Sequence, residues 1–131
     1  MAKETNKKKG ASNNAWGALA ESIAAEYYIK QGYTIRARNH KVNNMEIDLI
    51  VELGNTIAFV EVKARSGKDQ DPVDAVDRKK RLRMVRAADV YLRNEKFDYQ
   101  YRFDIITLTG TPESYTFEPY LDAFLPPLSS R

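Results

Sequence analysis

The 131-residue sequence contains no cysteine and a single histidine, His40. Disulfides, thiol catalysis and cysteine-ligated zinc are therefore excluded, and a histidine-rich metal site cannot be built. Long apolar runs are missing too. No stretch approaches the roughly 20 apolar residues of a membrane span, and the N-terminal residues lack the apolar segment of a signal peptide. We therefore expect a cytoplasmic protein that does not enter a membrane.

Positive charge is present but is concentrated in two places. The formal net charge is only +3. Residues 78–86 contain six basic residues and no acid, and residues 1–13 carry four lysines. Outside these two segments the acids outnumber the basic residues, so the pattern favours binding of a polyanion such as nucleic acid. The alternative is an ordinary solvated helix face and a disordered tail.

The segment from Met45 to Arg65 carries the strongest local signal. Two runs of apolar and β-branched residues flank Gly54-Asn55, which predicts a β-hairpin with a two-residue turn. In that register Asp48 lies opposite Glu61, and side chains alternate between the two faces. The opposite face of the hairpin is then entirely apolar, with Ile47, Leu49, Val51, Ala58, Val60, Val62 and Ala64.

The chemistry of this hairpin lies in its charged face. Like charges directly opposite each other are destabilising, so the Asp48–Glu61 pair indicates a cation between the carboxylates. Magnesium takes carboxylate oxygens, and Lys63 can contact phosphate oxygens or orient the attacking water. The pattern therefore predicts metal-assisted cleavage of phosphodiesters. In the alternative interpretation Lys63 pairs with Glu46 across the hairpin and both carboxylates face water.

The remaining pattern predicts one α/β domain over residues 14–125, between a disordered basic tail (1–13) and a frayed tail (126–131). The predicted elements are a helix from Ser12–Asn14 to about Gln31, a strand from Tyr33 to about Asn39, the hairpin, a helix from Asp71-Pro72 to about Asn94, a strand over Phe103–Thr109 and a return strand at Tyr115–Glu118. This order, α-β-β-β-α-β(-β), favours a mixed β-sheet flanked by helices.

Helical spacing predicts which side of each helix is buried. On the first helix the predicted stripe is Trp16, Leu19, Ala20, Ile23 and Tyr27, which leaves Glu21 as a surface residue. On the second helix it is Val85, Ala88 and Leu92, with Val76 and Met84 nearby. Basic residues occupy the other faces of that helix.

These motifs resemble the YraN family of bacterial endonuclease-like proteins. The matching segments are Glu46–Ile50, Phe59–Arg65, Lys80 with Ala88 and Tyr91-Leu92, Phe103-Asp104, and Asp122-Ala123-Phe124. The family belongs to the restriction-endonuclease-like PD-(D/E)XK superfamily and is similar to archaeal Holliday junction resolvases. The resemblance implies that α/β fold, with Mg²⁺ or Mn²⁺ as the cofactor.

The resemblance also implies roles for individual residues. Asp48, Glu61 and the Val62 carbonyl would hold the metal, Lys63 would serve catalysis, and Glu21 would stand beside the metal site. Arg65 would contact phosphate by the same resemblance, whereas the cluster of positive charge on the second helix predicts that Lys79, Lys80, Arg83 and Arg86 bind nucleic acid.

Three functions remain as hypotheses from the sequence. The first is a metal-dependent nuclease acting on DNA, including branched or processed ends. The second is a nuclease-like module that binds nucleic acid without cutting it, and the third is a scaffold with a protein partner. The sequence also leaves a homodimer open.

Overall fold

The predicted β-hairpin lies at the centre of the structure. The computed structural model describes residues 2–42, 44–66 and 78–126, with side chains from residue 15 onward. Its elements are α1 (Ala2–Lys30), β1 (Thr34–Val42), β2 (Met45–Leu53), β3 (Thr56–Arg65), α2 (Arg78–Arg93), β4 (Gln100–Thr111) and β5 (Ser114–Phe124). In this part of the chain the five strands form an open sheet in the order β1-β2-β3-β4-β5.

The turn between β2 and β3 fixes the register that the sequence predicts. Leu53 pairs with Thr56, and the ladder continues in step to Leu49 and Val60. Gly54 has a φ of 61°, in the left-handed region, which glycine adopts without steric strain because it has no Cβ atom. β3 then runs parallel to β4 across the connection that carries α2, whereas the other neighbouring strands are antiparallel. The prediction of a mixed α/β sheet is confirmed.

The two helices cover opposite faces of the sheet. Phe59 packs with Met84, Ala87 and Ala88 of α2, whereas its neighbour Val60 packs with the residues of α1. Because consecutive side chains on a strand point to opposite faces, the core is divided into two layers by the sheet. β3 is central and covered on both sides, and its side chains from residue 57 to 62 are all buried.

The buried side of α1 differs from the predicted stripe. Fully buried are Ala20, Ala24, Ala25 and Tyr28, whereas Leu19 is 41% exposed. Alanines let the helix backbone approach the sheet closely, and the large residues lie at its margin. There Trp16 packs against Tyr115, and Tyr27 packs against Phe117, both on β5. This rotation turns the side of α1 that carries Glu21 toward the sheet.

Several predicted boundaries also change. α1 begins at Ala2 and not near Ser12–Asn14, since residues 2–13 are rich in helix formers and contain no proline. Disorder of residues 1–13 stays a prediction. β1, β4 and β5 are longer than predicted, because pairing with neighbouring strands extends them. The predicted start of the second helix at Asp71-Pro72 and the residues 126–131 tail lie largely outside the described residues. Neither helix, over the residues described, is long and apolar enough to cross a membrane.

Candidate active site

Asp48 occupies an irregular position in β2. On one side of it Leu49 packs in the α1 layer, and on the other side Ile47 packs in the α2 layer. In a regular strand, residues i and i+2 point to the same face. Ile47 and Leu49 point to opposite faces, so the two faces of β2 are exchanged at Asp48. The neighbouring strand is irregular at the same level, where Asn39 of β1 has a φ of 48°. The predicted apolar face is therefore wrong for Ile47.

The carboxylate of Asp48 replaces a backbone group in the hairpin. The regular ladder between β2 and β3 ends at Leu49 and Val60, and beyond it the Val62 N–H donates to Asp48 Oδ2 at 2.8 Å. Burial and then the negative charge of Glu61 raise the pKa of Asp48 to about 7, and the Val62 hydrogen bond offsets part of that rise. The two carboxylates predicted to face each other thus interact strongly.

Glu61 is held by two lysines from different elements. Its side chain is buried on β3, and its Oε1 atom contacts the ammonium groups of Lys80 and Lys63, the latter at 3.5 Å. Lys63 therefore pairs with Glu61 along its own strand, and among the described ion pairs none joins it to Glu46, the alternative partner.

Lys80 makes a contact with Glu61 that the sequence pattern does not predict. Lys80 was expected among the residues that bind nucleic acid, yet its side chain is largely covered and lies at the site. A signal for this position does exist: Met84, Ala87 and Ala88 follow Lys80 at helical spacing, and all three are buried. The same stripe therefore turns Lys80 toward the sheet.

The surroundings of Lys63 and Lys80 shift their pKa values in opposite directions. Burial and the neighbouring Lys80 lower the pKa of Lys63, although Glu61 opposes this shift. Burial also lowers the pKa of Lys80, but its interactions with Glu61 outweigh burial and raise the pKa overall. Lys80 is consequently the stronger counter-ion, and Lys63 is the lysine that gives up a proton more readily.

Glu21 approaches the same group from α1. Burial raises its pKa, a hydrogen bond with Asn39 lowers it, and the charges of Glu46 and Glu61 raise it further. The structure therefore brings the helix residue implied by the family resemblance into the electrostatic range of the hairpin carboxylates. Helical pattern alone placed Glu21 on the surface.

Thr107 is a polar residue at this site that sequence reasoning missed. It pairs in register with Lys63 across β3 and β4, and it is fully buried. Its Oγ1 atom has no hydrogen-bond partner within the described part of the chain. Buried hydroxyl groups are normally paired, so an additional polar group is expected beside Lys63.

The donor set determines which cation these residues could hold. Asp48 and Glu61 supply carboxylate oxygens, and the backbone of Val62 lies between Glu61 and Lys63. Within residues 2–42, 44–66 and 78–126, no three acidic or histidine side chains come close enough together for a metal site made of side chains alone. Magnesium suits such a sparse set, since it takes one or two carboxylates and keeps several waters.

The other predicted contacts with nucleic acid extend from the site along α2. Lys79, Arg83 and Arg86 are exposed, and their spacing places them on one side of the helix. Arg65 is half-buried at the end of β3. Arg81, by contrast, lies over the ring of Phe124 at 5.4 Å and helps to pack the helix.

The candidate residues lie in a part of the chain that is similar to a known protein family. The model of "Uncharacterised protein family UPF0102" matches residues 20–108, a range that includes every candidate from Glu21 to Thr107. A UPF0102 protein of Phocaeicola vulgatus is 40% identical over 119 residues, covering 90% of this chain and 98% of the relative. A UPF0102 protein of Caldanaerobacter subterraneus is 44% identical over 104 residues, covering 78% and 85% of the two chains.

Proposed function

The chain belongs to the uncharacterised protein family UPF0102, and we propose that it is a divalent-metal-dependent nuclease that hydrolyses phosphodiester bonds in DNA. The proposal includes a restriction-endonuclease-like fold. A mixed sheet with a helix on each face, and with Glu61, Val62 and Lys63 on its central strand, supports that fold.

One observation carries the proposal: at the end of a buried hairpin, Asp48 and Glu61 lie close enough for the negative charge of Glu61 to raise the pKa of Asp48. Burial and mutual repulsion disfavour two charged carboxylates there, and the raised pKa of Asp48 records that cost. Strongly perturbed acids beside lysines are typical of functional sites. A structural role alone would be served better by an apolar pair or by two neutral groups.

The residues of the chain divide the chemical work. When bound by Asp48, Glu61 and the Val62 carbonyl, Mg²⁺ or Mn²⁺ supplies Lewis-acid chemistry for attack of water on phosphorus. Lys63 lies beside Glu61 and can donate to a phosphate oxygen or hold the attacking water. Thr107 offers, in the adjacent register position, a hydroxyl with no hydrogen-bond partner among the described residues.

The exposed cations of α2 would orient the substrate. Lys79, Arg83 and Arg86 can bind successive phosphates of a DNA strand, and Arg65 can add a contact at the end of β3. Lys80 joins α2 to Glu61, so a DNA strand that follows the helix would pass close to the carboxylates.

A second candidate is a module that binds nucleic acid without cutting it. The observation in its favour is that the exposed cations of α2 need no metal to bind phosphates. The two candidates differ in what Lys63 does. For a nuclease its value lies in the transition state, whereas for a binding module it is one charge among many.

Cleavage of a panel of linear, nicked and branched DNAs, with Mg²⁺ or Mn²⁺ and with an EDTA control, tests the proposal. The wild-type protein should cut at least one substrate in a metal-dependent manner. Lys63→Ala should reduce the rate at least about 100-fold, with DNA affinity nearly intact. Lys96→Ala, which removes an exposed lysine outside the site, should cut as the wild type does.

Two results would redirect the proposal. Tight binding of DNA with no cleavage of any substrate by either metal would establish the binding module. Metal-dependent cleavage that survives Lys63→Ala unchanged would show that the catalytic centre lies elsewhere in the chain.

A further inference from the structure

Lys80 is positioned as a cation inside the candidate site. It comes from α2, on the other side of a long connection from β3, yet its Nζ atom reaches Glu61 Oε1. Lys63 Nζ lies 3.5 Å from the same oxygen atom. Two ammonium groups therefore converge on one carboxylate oxygen, and Asp48 is the second acid that balances them electrostatically.

A divalent ion cannot bind to Glu61 in this arrangement unless one of the two ammonium groups moves. A cation that binds Glu61 would stand within a few ångströms of any ammonium in contact with that carboxylate. A double and a single positive charge about 4 Å apart repel each other strongly even at the dielectric of a protein surface. Lys63 is tied to the same strand as Glu61, whereas Lys80 is carried by a separate helix.

We propose that Lys80 is a built-in counter-ion of the Asp48–Glu61 pair and that a divalent cation displaces it on binding. The inference rests on the proposed function, because it assigns the same carboxylates to the metal. Before metal binds, Lys80 stabilises the buried acids. When metal binds, the ammonium leaves Glu61, and metal binding becomes an exchange of cations.

The displaced ammonium group of Lys80 can move toward the exposed cations of α2. Lys79 and Arg83 flank Lys80 on α2 and are exposed, so a small movement of the Lys80 side chain would join the cations that face DNA. Metal binding would then add a positive charge to the DNA-binding side of the helix. By linkage, bound DNA would in turn favour the metal-bound state.

The substitution Lys80→Met tests this exchange in the full chain, without DNA and without a cleavage assay. Methionine removes the ammonium and retains an unbranched apolar stem. Titration with Mn²⁺, followed by calorimetry or by the spin resonance of the free ion, should give a Kd at least about 5-fold lower than that of the wild type. Lys79→Met removes the neighbouring exposed charge, and its Kd should stay within about 2-fold of the wild type.

Thermal unfolding gives a second readout. Without metal, Lys80→Met should melt at a lower temperature than Lys79→Met, and Mn²⁺ should raise its melting temperature more than that of the wild type. Lys80→Gln, which keeps a hydrogen-bond donor but no charge, should show the same order of Mn²⁺ affinities. It supplies the test if the methionine variant does not fold.

The possible results separate this inference from the nuclease proposal. An Mn²⁺ affinity that is unchanged or weaker in both Lys80 variants would overturn the exchange and leave the nuclease proposal standing. The absence of Mn²⁺ binding in the wild type and in both variants would overturn both. Tighter binding in the Lys80 variants, together with no cleavage of any DNA, would support the exchange and overturn the nuclease.

Discussion

Asp104 and Asp48 are carboxylates in the same sheet, and they meet opposite environments. Asp104 on β4 is fully buried, and every described partner donates to it. The Tyr28 hydroxyl donates to Oδ2 at 2.7 Å, Arg102 donates to both oxygens at 2.9 and 3.1 Å, and the Asp122 N–H donates to Oδ1 at 2.9 Å. This carboxylate ties α1, β4 and β5 together.

Asp48 on β2 has far less support. One described hydrogen bond, from the Val62 N–H, reaches its carboxylate, and the charge of Glu61 opposes its ionisation. The comparison separates a carboxylate that the fold needs from one that the fold only tolerates. A buried acid with a strongly raised pKa beside two lysines is typical of a functional site and not of a purely structural ion pair.

The largest expected effect is the loss of stability in Asp104→Asn. Either orientation of the amide would place its NH₂ group against an Arg102 N–H donor, and the guanidinium would lose its charged partner. We expect a loss of about 3 kcal/mol in the free energy of unfolding, measured by urea denaturation. The same change at position 48 is the matched variant: Asp48→Asn keeps an acceptor for Val62 and should cost nothing or stabilise slightly. Equal losses in the two variants would remove the distinction.

The dependence of stability on pH should be the next largest effect. The pKa of Asp48 is about 7 in the folded protein and near 3.9 in the unfolded chain, so the folded state binds the extra proton between these values. This contribution to stability is complete below pH 4 and is lost as the pH rises through 7. It should amount to a few kcal/mol without metal, because each pKa unit corresponds to about 1.4 kcal/mol, and it is measured as the difference between wild type and Asp48→Asn. A difference that does not change between pH 4 and 8 would contradict the environment assigned to Asp48.

The salt dependence of DNA binding should show the smallest effect. Reversing the charges of Lys79 and Arg83 should make the slope of log affinity against log salt less steep, since each lost phosphate contact on duplex DNA removes about 0.9 from it. Arg93→Glu, at the exposed far end of α2, is the control and should leave the slope nearly unchanged. An unchanged slope in the Lys79 and Arg83 variant would place the DNA on another surface.

The sequence was sufficient for the features that depend on local pattern. Gly54-Asn55 set the register of the hairpin, because a two-residue turn leaves one pairing scheme open, and the pairs from Leu53 to Leu49 follow it. The alternation of helices and strands likewise predicted the mixed sheet and the helix on each face.

Features that depend on contacts between distant elements could not be predicted from the local sequence pattern. The exchange of the two faces of β2 at Asp48 accompanies an irregular backbone at Asn39 on the neighbouring strand, which the pattern of β2 itself does not indicate. The rotation of α1 follows from close packing of alanines, whereas an apolar pattern gives most weight to large residues such as Leu19. Lys80 reaches Glu61 because packing fixes the rotation of α2, although its spacing from Met84 was visible in the sequence.

The most direct test of the account is the effect of Mn²⁺ on thermal unfolding of the wild type and of Asp48→Asn. A cation that binds only the folded protein stabilises it by about 2.7 kcal/mol at 100 times its Kd, or roughly 10 °C for a chain of this size. The account predicts such a rise in the wild type and little or none in Asp48→Asn. A wild-type melting temperature that Mn²⁺ leaves unchanged, or an equal rise in both proteins, would contradict it.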